Sequence, residues 1–397
     1  MSQAAIVSRQ RFESIDILRG LIMIIMALDH VRDFFHITAI TDVPTNLATT
    51  TPQLFFTRWI THYCAPTFLF LAGTSAYIMG MKKTKKELSS FLIKRGIWLI
   101  FVELCIITLF ITFDPFYHTF ILQVIWAIGI SMIILGLLVR LPYKLILVLG
   151  LIIVCGHNLL DFPERAHVGS LGTFWNFTHG PFSIIPLWSA HVIGVFYSFV
   201  AWTGIMLLGY CFGVFFGKDY DTARRKKTFL RIGLGLIVLF VILRWTNVYG
   251  DRIPWEVQHR GSVYTFLSFL NVNKYPPSLS FICMTLGPSI LFLALIEGYR
   301  NRFTSFCQVY GRVPFFYYVC HFFLIHLINV IFFFGAGYGV DQIVTPGIIF
   351  NFIPPGYGYN LPVVYAVWIA VILIMYYPCK WFDRVKSSRK KWWLSYM

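Results

Sequence analysis

The sequence predicts an all-α fold, a polytopic membrane bundle of about ten transmembrane helices, from its composition and from the length of its apolar runs. Hydrophobic residues make up 57% of the 397 residues, charged residues only 13%, and the mean hydropathy is +0.70. Soluble domains carry roughly 25% charged residues. The composition therefore excludes a soluble globular protein and indicates an integral membrane protein.

The apolar runs have the length that a helix needs to span a bilayer, about 20 residues. They lie at residues 15–35, 57–80, 93–113, 119–139, 144–160, 189–216, 229–248, 279–297, 310–335 and 360–380. Strands of a membrane barrel would be about half as long and would alternate in polarity, which these runs do not. Because the runs fill most of the chain, we expect one integral-membrane domain over residues 1–397.

Lysine and arginine are distributed unevenly between the polar breaks. With the N-terminus inside the cell, 25 of the 33 basic residues fall in inner segments, among them KKTKK at 82–86 and RRKK at 224–227. Loops that stay in the cytoplasm carry such an excess. We therefore expect a multi-pass protein of the cell (inner) membrane with both termini cytoplasmic.

The net charge of +16 raises the question of nucleic-acid binding. The positive residues lie at turns that flank the membrane, not on a soluble patch with interleaved aromatic residues. Their expected partner is the lipid bilayer. An added attraction for an anionic cytosolic substrate remains an alternative, and no nucleic-acid partner is predicted.

Three outer loops are long, at residues 36–56, 157–188 and 249–278, and they are rich in aromatic, histidine, amide and hydroxyl groups. Such loops can build a vestibule for a polar substrate. The alternative is an aromatic belt at the membrane interface. Two pairs with i,i+4 spacing at outer ends, Asp114 with His118 and His157 with Asp161, are candidates for contact with a vestibule.

The first apolar run, SIDILRGLIMIIMALDHVRDFFH at 14–36, carries seven ionisable side chains. At about 100° per residue, Arg19, His30 and Asp33 fall within about 60° of one another on a helix, and Asp16 is spaced to pair with Arg19. An ion that faces lipid costs several kcal/mol. This polar face is therefore predicted to point into the bundle or into a wet cavity.

Three separated segments resemble a known family. RFESIDILRGLIMIIMALDH at 11–30 resembles the first-helix signature of transmembrane acyltransferases. KYPPSLSFICMTLGPSILFLALIE at 274–297 and GRVPFFYYVCHFFLIH at 311–326 resemble bacterial relatives of heparan-alpha-glucosaminide N-acetyltransferase. The three motifs occur in the same order along most of the chain.

This resemblance implies that acetyl-CoA, or another acyl-CoA, binds from the cytoplasmic side and that its thioester reaches through the bundle. The acetyl group would pass to a hydroxyl or amine of a sugar or glycan on the outer face. Candidates for contact with the CoA are Arg19, Arg95 and Arg312, the last because arginine at an inner helix end can bind a phosphate bidentately. Candidates for the substrate side are Arg32, Arg58 and His321.

The identity of the base stays open. In the heparan enzyme the position that resembles His30 is an Asn, and the catalytic His lies in the loop that follows; here that loop offers His36 and then His62. Acyl transfer needs a base, and histidine titrates near neutral pH. We rank His30 first, oriented by Asp29 and Asp33, with His62 second and His36 third.

No metal is predicted. His321 and His326, in the HFFLIH segment, lie about 140° apart around a helix and are poorly placed for one metal site. A second function class also remains, a transporter that uses intramembrane charges to bind a small polar or anionic solute. The sequence lacks the inverted repeats and matched broken helices typical of many transporters.

Overall fold

The computed structural model describes residues 12–167, 171–389, 391 and 394, of which most are helical. Helices are the main element of the described chain, as the sequence predicts. They are α1 (Glu13–Phe35), α2 (Pro52–Thr61), α3 (Cys64–Gly80), α4 (Lys85–Val102), α5 (Thr108–Thr112), α6 (Val124–Leu138), α7 (Tyr143–Gly156), α8 (Asp161–Ala166), α9 (Thr173–Thr178), α10 (Phe199–Phe212), α11 (Thr222–Thr246), α12 (Ser262–Leu270), α13 (Leu279–Ile296), α14 (Arg302–Gly311), α15 (Pro314–Gly335) and α16 (Leu361–Ser388).

Within the described ranges, seven helical segments are long and apolar enough to cross a membrane. They are Lys85–Thr112, Tyr143–Ala166, Phe199–Phe216, Thr222–Thr246, Leu279–Ile296, Pro314–Gly335 and Leu361–Ser388. Three more helices pack among them: α1, which carries the charged face, and the shorter α3 and α6. The prediction of an all-α polytopic membrane bundle is confirmed, with the number of spans approximate.

Several predicted spans have different boundaries in the structure. A small sheet of β1 (Thr119–Leu122), β2 (Ser183–Pro186) and β3 (Val192–Val195), in the order β1-β3-β2, replaces the predicted helix starts at 119 and 189. β3 pairs parallel to β1 and antiparallel to β2. These helix starts were wrong because short runs rich in β-branched and aromatic residues also suit strands.

Two other predicted spans are each divided into two helices. The run at 57–80 is divided between α2 and α3, with His62 and Tyr63 between them. The run at 310–335 is divided between α14 and α15, where Pro314 begins the second helix. Proline suits a first helical turn because its missing N–H has no partner there in any case.

Glycine lets the charged helix α1 pack directly on α14. A Cβ atom added to Gly20 would lie 1.8 Å from the carbonyl oxygen of Cys307, and one added to Gly311 would lie 1.8 Å from that of Asp16. Small residues allow this kind of close backbone approach between membrane helices. The contact fixes the position of α1, and with it the positions of its ionisable side chains.

The bundle has two chemically different ends. At the first, which we call the basic end, Arg300 is bonded to Glu13 at 2.7 Å and Arg225 pairs with Glu297. Arg9, Arg11 and Lys390, counted among the predicted inner basic residues, lie outside the described residues.

At the opposite end, which we call the loop end, the long connections contact one another. Ile37 donates a backbone hydrogen bond to Tyr359 at 3.1 Å, and Arg260 donates to the carbonyl oxygens of Leu47 and Thr50 at 2.6 and 3.0 Å. These contacts bring the segment after α1, the segment before α12 and the segment before α16 together above the bundle. The loops at 36–56 and 249–278, which the sequence analysis assigned to the outer face, therefore contact each other.

Candidate active site

A pair of histidines from two helices lies in the loop-end half of the bundle. Nδ1 of His30 on α1 is 2.7 Å from Nε2 of His321 on α15. Nδ1 of His321 is in turn 2.6 Å from the carbonyl oxygen of Tyr318 and 3.1 Å from that of Tyr317. The sequence analysis ranked His30 as the base and named His321 as a candidate for the substrate side, but it did not predict that they would touch.

These contacts assign the protons of the pair. A carbonyl oxygen only accepts, so Nδ1 of His321 carries hydrogen and, in the neutral ring, Nε2 is the acceptor. Nδ1 of His30 therefore donates to it. The remaining nitrogen of neutral His30, Nε2, then has a free lone pair, which is the requirement for a general base.

A cavity with an empty volume of about 350 Å³, which we call the histidine cavity, is lined by His30 but not by His321. Its walls come from α1, the α2–α3 junction, the start of α6 and the segments before α10 and α13. They are formed by Met26, Asp29, His30, Thr61, Cys64, Ala65, Phe68, Gln123, Val124, Tyr197 and Lys274. The polar face predicted on the first helix thus points into the bundle, where it meets polar groups of other elements.

The acidic residues beside His30 contact arginines. Asp29 accepts from Arg32 at 2.9 Å and also pairs with Arg58, while Asp33 accepts from Arg32 at 2.6 Å. Arg32 and Asp29 are buried, so their charges offset one another inside the protein, while Asp33 is partly exposed. The hydrogen-bond partner of His30 is His321, whereas the sequence analysis expected Asp29 and Asp33 to orient it.

The two alternative bases lie outside the lining of the histidine cavity. His62 ends α2 and is buried against the ring of Phe281, although its neighbours Thr61 and Cys64 both line the cavity. His36 follows α1, and its Nδ1 accepts from the backbone N–H of Thr38 at 3.3 Å. Burial, together with the positive charge of Arg32, lowers the pKa of His36.

His326 has a packing role, in contrast to His321. Its two ring nitrogens each lie 3.2 Å from a backbone carbonyl oxygen, one of Phe110 and one of Asn351, and its ring stacks on Phe113 at 3.7 Å. Of the two histidines in the HFFLIH segment, only His321 is directed at His30.

A second, larger cavity opens toward the basic end and has an empty volume of about 1050 Å³. We call it the arginine pocket, because Arg19, Arg95 and Arg312 all line it, together with Lys386. Most of its other walls are apolar and come from α3, α4, α6 and α15. The three arginines proposed for one ligand on sequence grounds come from three different helical regions, and the structure brings them to one pocket.

Arg19 and Arg312 also make contacts within the protein. Arg19 lies 3.3 Å from Asp16, donates to the hydroxyl of Ser75 at 3.0 Å and reaches the carbonyl oxygen of Gly311. Arg312 lies 3.3 Å from Asp383 on α16. Arg19 therefore has a structural role where α1, α3 and α14 meet, in addition to lining the pocket.

The two cavities share walls. Phe68 of α3 and Val124, the first residue of α6, belong to the lining of both. Tyr318, whose carbonyl orients His321, also lines the arginine pocket. The two cavities therefore adjoin at Phe68 and Val124.

Lys274 and Tyr197 line the histidine cavity and were not among the sequence candidates. Lys274 is 9% exposed, and its Nζ lies 5.1 Å from the centre of the Tyr275 ring and 6.0 Å from that of Tyr197. The sequence analysis counted Lys274 only as one of the outer basic residues. Lys274 is the first residue of the KYPP segment that precedes α13, and nothing in the local sequence marked either Lys274 or Tyr197 as a cavity residue.

The wall of the histidine cavity formed by Gln123 and Val124 is held by a buried carboxyl group. Glu103, fully buried, accepts from the backbone N–H of Gln123 at 2.7 Å and lies in a π-helical turn, Glu103–Ile107, between α4 and α5. π-Helical turns occur frequently at functional sites. This contact holds the start of α6, which carries Gln123 and Val124, at the junction of the two cavities.

Comparison with protein families gives one match of wide coverage. Residues 11–244, more than half of the chain, match a family model described as heparan-alpha-glucosaminide N-acetyltransferase, catalytic. The matched range includes His30, both alternative histidines and two of the pocket arginines, and it ends before His321. No curated protein gives a significant match to the chain.

Proposed function

Because the chain belongs to the heparan-alpha-glucosaminide N-acetyltransferase family and is thus a transmembrane acetyltransferase, we propose that it carries an acetyl group through the bundle from acetyl-CoA to a sugar. Acetyl-CoA would bind in the arginine pocket from the cytoplasm, and the acceptor, a hydroxyl or amine of a sugar or glycan, would enter the histidine cavity from the outer face. The basic end would then be cytoplasmic and the loop end outside. Because the family consists of acetyltransferases, membership in it favours acetyl transfer over solute transport as the function of this chain.

The chemistry of the arginine pocket supports a CoA donor. CoA carries several phosphates at one end and a long, mostly apolar arm that ends in the thioester. Arg95, Arg312 and Lys386 supply positive charge at the mouth of the pocket, and arginine binds phosphate bidentately. The apolar walls suit the arm, and the shared residues Phe68 and Val124 lie where the arm would enter the histidine cavity.

The observation that carries the proposal is the pairing of His30, which lines the histidine cavity, with His321 behind it. Nε2 of His30 would take the proton of the acceptor hydroxyl or amine as that group attacks the thioester carbonyl. A new C–O or C–N bond forms, the C–S bond breaks, and the protonated His30 returns its proton to the departing CoA sulfur. His321 would keep His30 in the correct tautomer by accepting from its Nδ1.

Negative charge develops on the thioester oxygen during this step and needs a donor. Lys274 is the cationic side chain that lines the histidine cavity in the described residues. Asp29, which lines the same cavity, is already paired with Arg32 and Arg58, so its charge is offset. We propose Lys274 as the group that stabilises the oxyanion.

Purified protein supplied with labelled acetyl-CoA and a panel of amino sugars and neutral sugars tests this proposal. We expect one acetylated sugar for each free CoA released. His118, an exposed histidine at the loop end, gives a matched control, because His118→Ala should retain this activity while His30→Ala loses it. Release of CoA that does not depend on any sugar, or equal activity of the two variants, would contradict the proposal.

A further inference from the structure

A separate cluster of ligand-type side chains lies at the loop end, outside the linings of the histidine cavity and the arginine pocket. Asp161 and Glu164 lie on α8, and His179 follows α9. One ligand atom of each residue lies within 4.8 Å of the others. We propose that these three residues bind a divalent transition-metal cation, with Zn²⁺ as the best-fitting ion.

The first argument is that the facing atoms are buried and have no hydrogen-bond partner. Oδ1 of Asp161, Oε2 of Glu164 and Nδ1 of His179 are all inaccessible to solvent and have no hydrogen-bond partner in the described part of the chain. The contact between Glu164 and His179 is an ion pair at 3.4 Å, longer than a direct hydrogen bond between these atoms. His179 is 1% exposed and Asp161 5%. Buried polar atoms normally have a hydrogen-bond partner or a bound ion. Three such atoms that face one another therefore indicate a shared ligand between them.

The second argument is that the other polar atom of each side chain is already held. Nε2 of His179 is 3.2 Å from Nδ1 of His157. Oδ2 of Asp161 accepts from Asn158 at 2.7 Å, and Oε1 of Glu164 pairs with Arg252 at 3.2 Å. Metal ligands characteristically have their second atom fixed in this way by an outer partner, which orients the first atom toward the ion.

The donor set decides the kind of cation. One imidazole nitrogen and two carboxylate oxygens suit Zn²⁺, at about 2.0–2.2 Å from each atom, whereas Ca²⁺ and Mg²⁺ prefer oxygen ligands alone. Nδ1 of His179 and Oε2 of Glu164 are 3.4 Å apart, a separation that tetrahedral coordination readily accommodates. The fourth position would be left to water.

The cluster is connected to the wall of the histidine cavity. Asn158, which holds Asp161, accepts a hydrogen bond from the backbone N–H of Leu279 at 2.9 Å. Leu279 begins α13, directly after the segment that carries Lys274. A bound cation would therefore fix the connection between α7 and α9 against the start of α13, and its expected role is to order this side of the loop end.

Metal binding to the whole purified protein tests the proposal directly. The protein is stripped with a chelator, titrated with ZnCl₂ in detergent, and its bound zinc is measured by elemental analysis and calorimetry. We expect one Zn²⁺ per chain, and at least about a 10-fold weaker affinity in Glu164→Gln and in His179→Ala. Excess Ca²⁺ or Mg²⁺ should not displace the ion.

The control is the other histidine–carboxylate contact of the loop end, His118 with Asp114, at 2.9 Å. It has two ligand-type residues and an exposed histidine, so His118→Ala should bind Zn²⁺ as the wild type does. Asp161→Asn keeps the size of the side chain and covers the case in which the other variants fail to fold. Wild type without stoichiometric zinc, or zinc bound equally by the wild type and by all folded Asp161, Glu164 and His179 variants, would overturn the proposal and leave an ion-pair cluster.

Discussion

Nδ1 of His30 and Nε2 of His321 lie 2.7 Å apart, and the backbone carbonyl of Tyr318 holds the far nitrogen of His321. The two rings and the carbonyl of Tyr318, which come from α1 and α15, thus determine which nitrogen of His30 carries no proton. The arrangement gives His321 a defined task, since it selects a tautomer without touching the reacting atoms. That task can be separated experimentally from a purely structural one.

We predict that His321→Leu lowers kcat by about 10- to 100-fold, the range typical of losing an orienting partner. The KM for acetyl-CoA should change little, because the proposed CoA contacts lie in the arginine pocket. His321→Gln keeps an amide oxygen that can accept from His30, so it should recover part of the lost turnover. Steady-state rates of the two variants measure this difference; equal turnover in His321→Leu and wild type would contradict the tautomer assignment.

Arg95→Gln and Arg312→Gln should each raise the KM for acetyl-CoA by about tenfold, since a charged hydrogen bond contributes about 1.5–3 kcal/mol. kcat should stay close to that of the wild type. Arg231, exposed on α11 and outside the pocket, supplies the matched control Arg231→Gln. Initial rates over a range of acetyl-CoA concentrations test this, and an unchanged KM in both pocket variants would mean that CoA binds elsewhere.

Gly20→Ala and Gly311→Ala should destabilise the bundle, because the new methyl group would meet a backbone carbonyl at 1.8 Å in either case. Overpacking of this kind costs about 1–3 kcal/mol or more. Gly235 lies inside α11 with no atom within 4 Å of an added Cβ, so Gly235→Ala should not lower stability. Thermal unfolding in detergent compares the three; unaltered melting of Gly311→Ala would contradict the close packing of α1 on α14.

The orientation of the bundle predicts which cysteines a membrane-impermeant reagent can reach in intact cells. Val257, 77% exposed in the loop at 249–278, should react as Val257→Cys. Lys83→Cys, at the basic end between α3 and α4, should react only after the membrane is permeabilised. Both are made with the exposed native Cys155 replaced by Ser. The reverse pattern would show that the basic end faces outward.

The general fold could be predicted from the sequence because hydropathy and run length directly reflect the bilayer. The sheet of β1, β2 and β3 could not, since four-residue strands form through tertiary pairing that leaves little local signal. The division of the predicted run at 310–335 could have been predicted from Pro314, because proline favours the first turn of a helix.

The candidate site was predictable where one helix carried it. Periodicity placed His30 on an inward face of α1, and basic residues of inner segments supplied Arg95 and Arg312. The contact between His30 and His321 could not be predicted, since helix periodicity says nothing about which helices touch. Lys274 was missed for a related reason: its burial comes from the way the loop folds, and in the sequence it looks like any outer lysine.

The measurement that tests the account most directly is acetyl transfer by His30→Ala, with binding of acetyl-CoA measured on the same preparation. The account predicts that turnover falls by about 10² to 10⁴, the usual effect of losing a general base, while acetyl-CoA binding changes little and the protein remains folded. His30→Asn, which matches the residue expected in the heparan enzyme, should be similarly impaired. An active His30→Asn beside an inactive His62→Ala or His36→Ala would move the base out of α1, and wild-type turnover in His30→Ala would contradict the account.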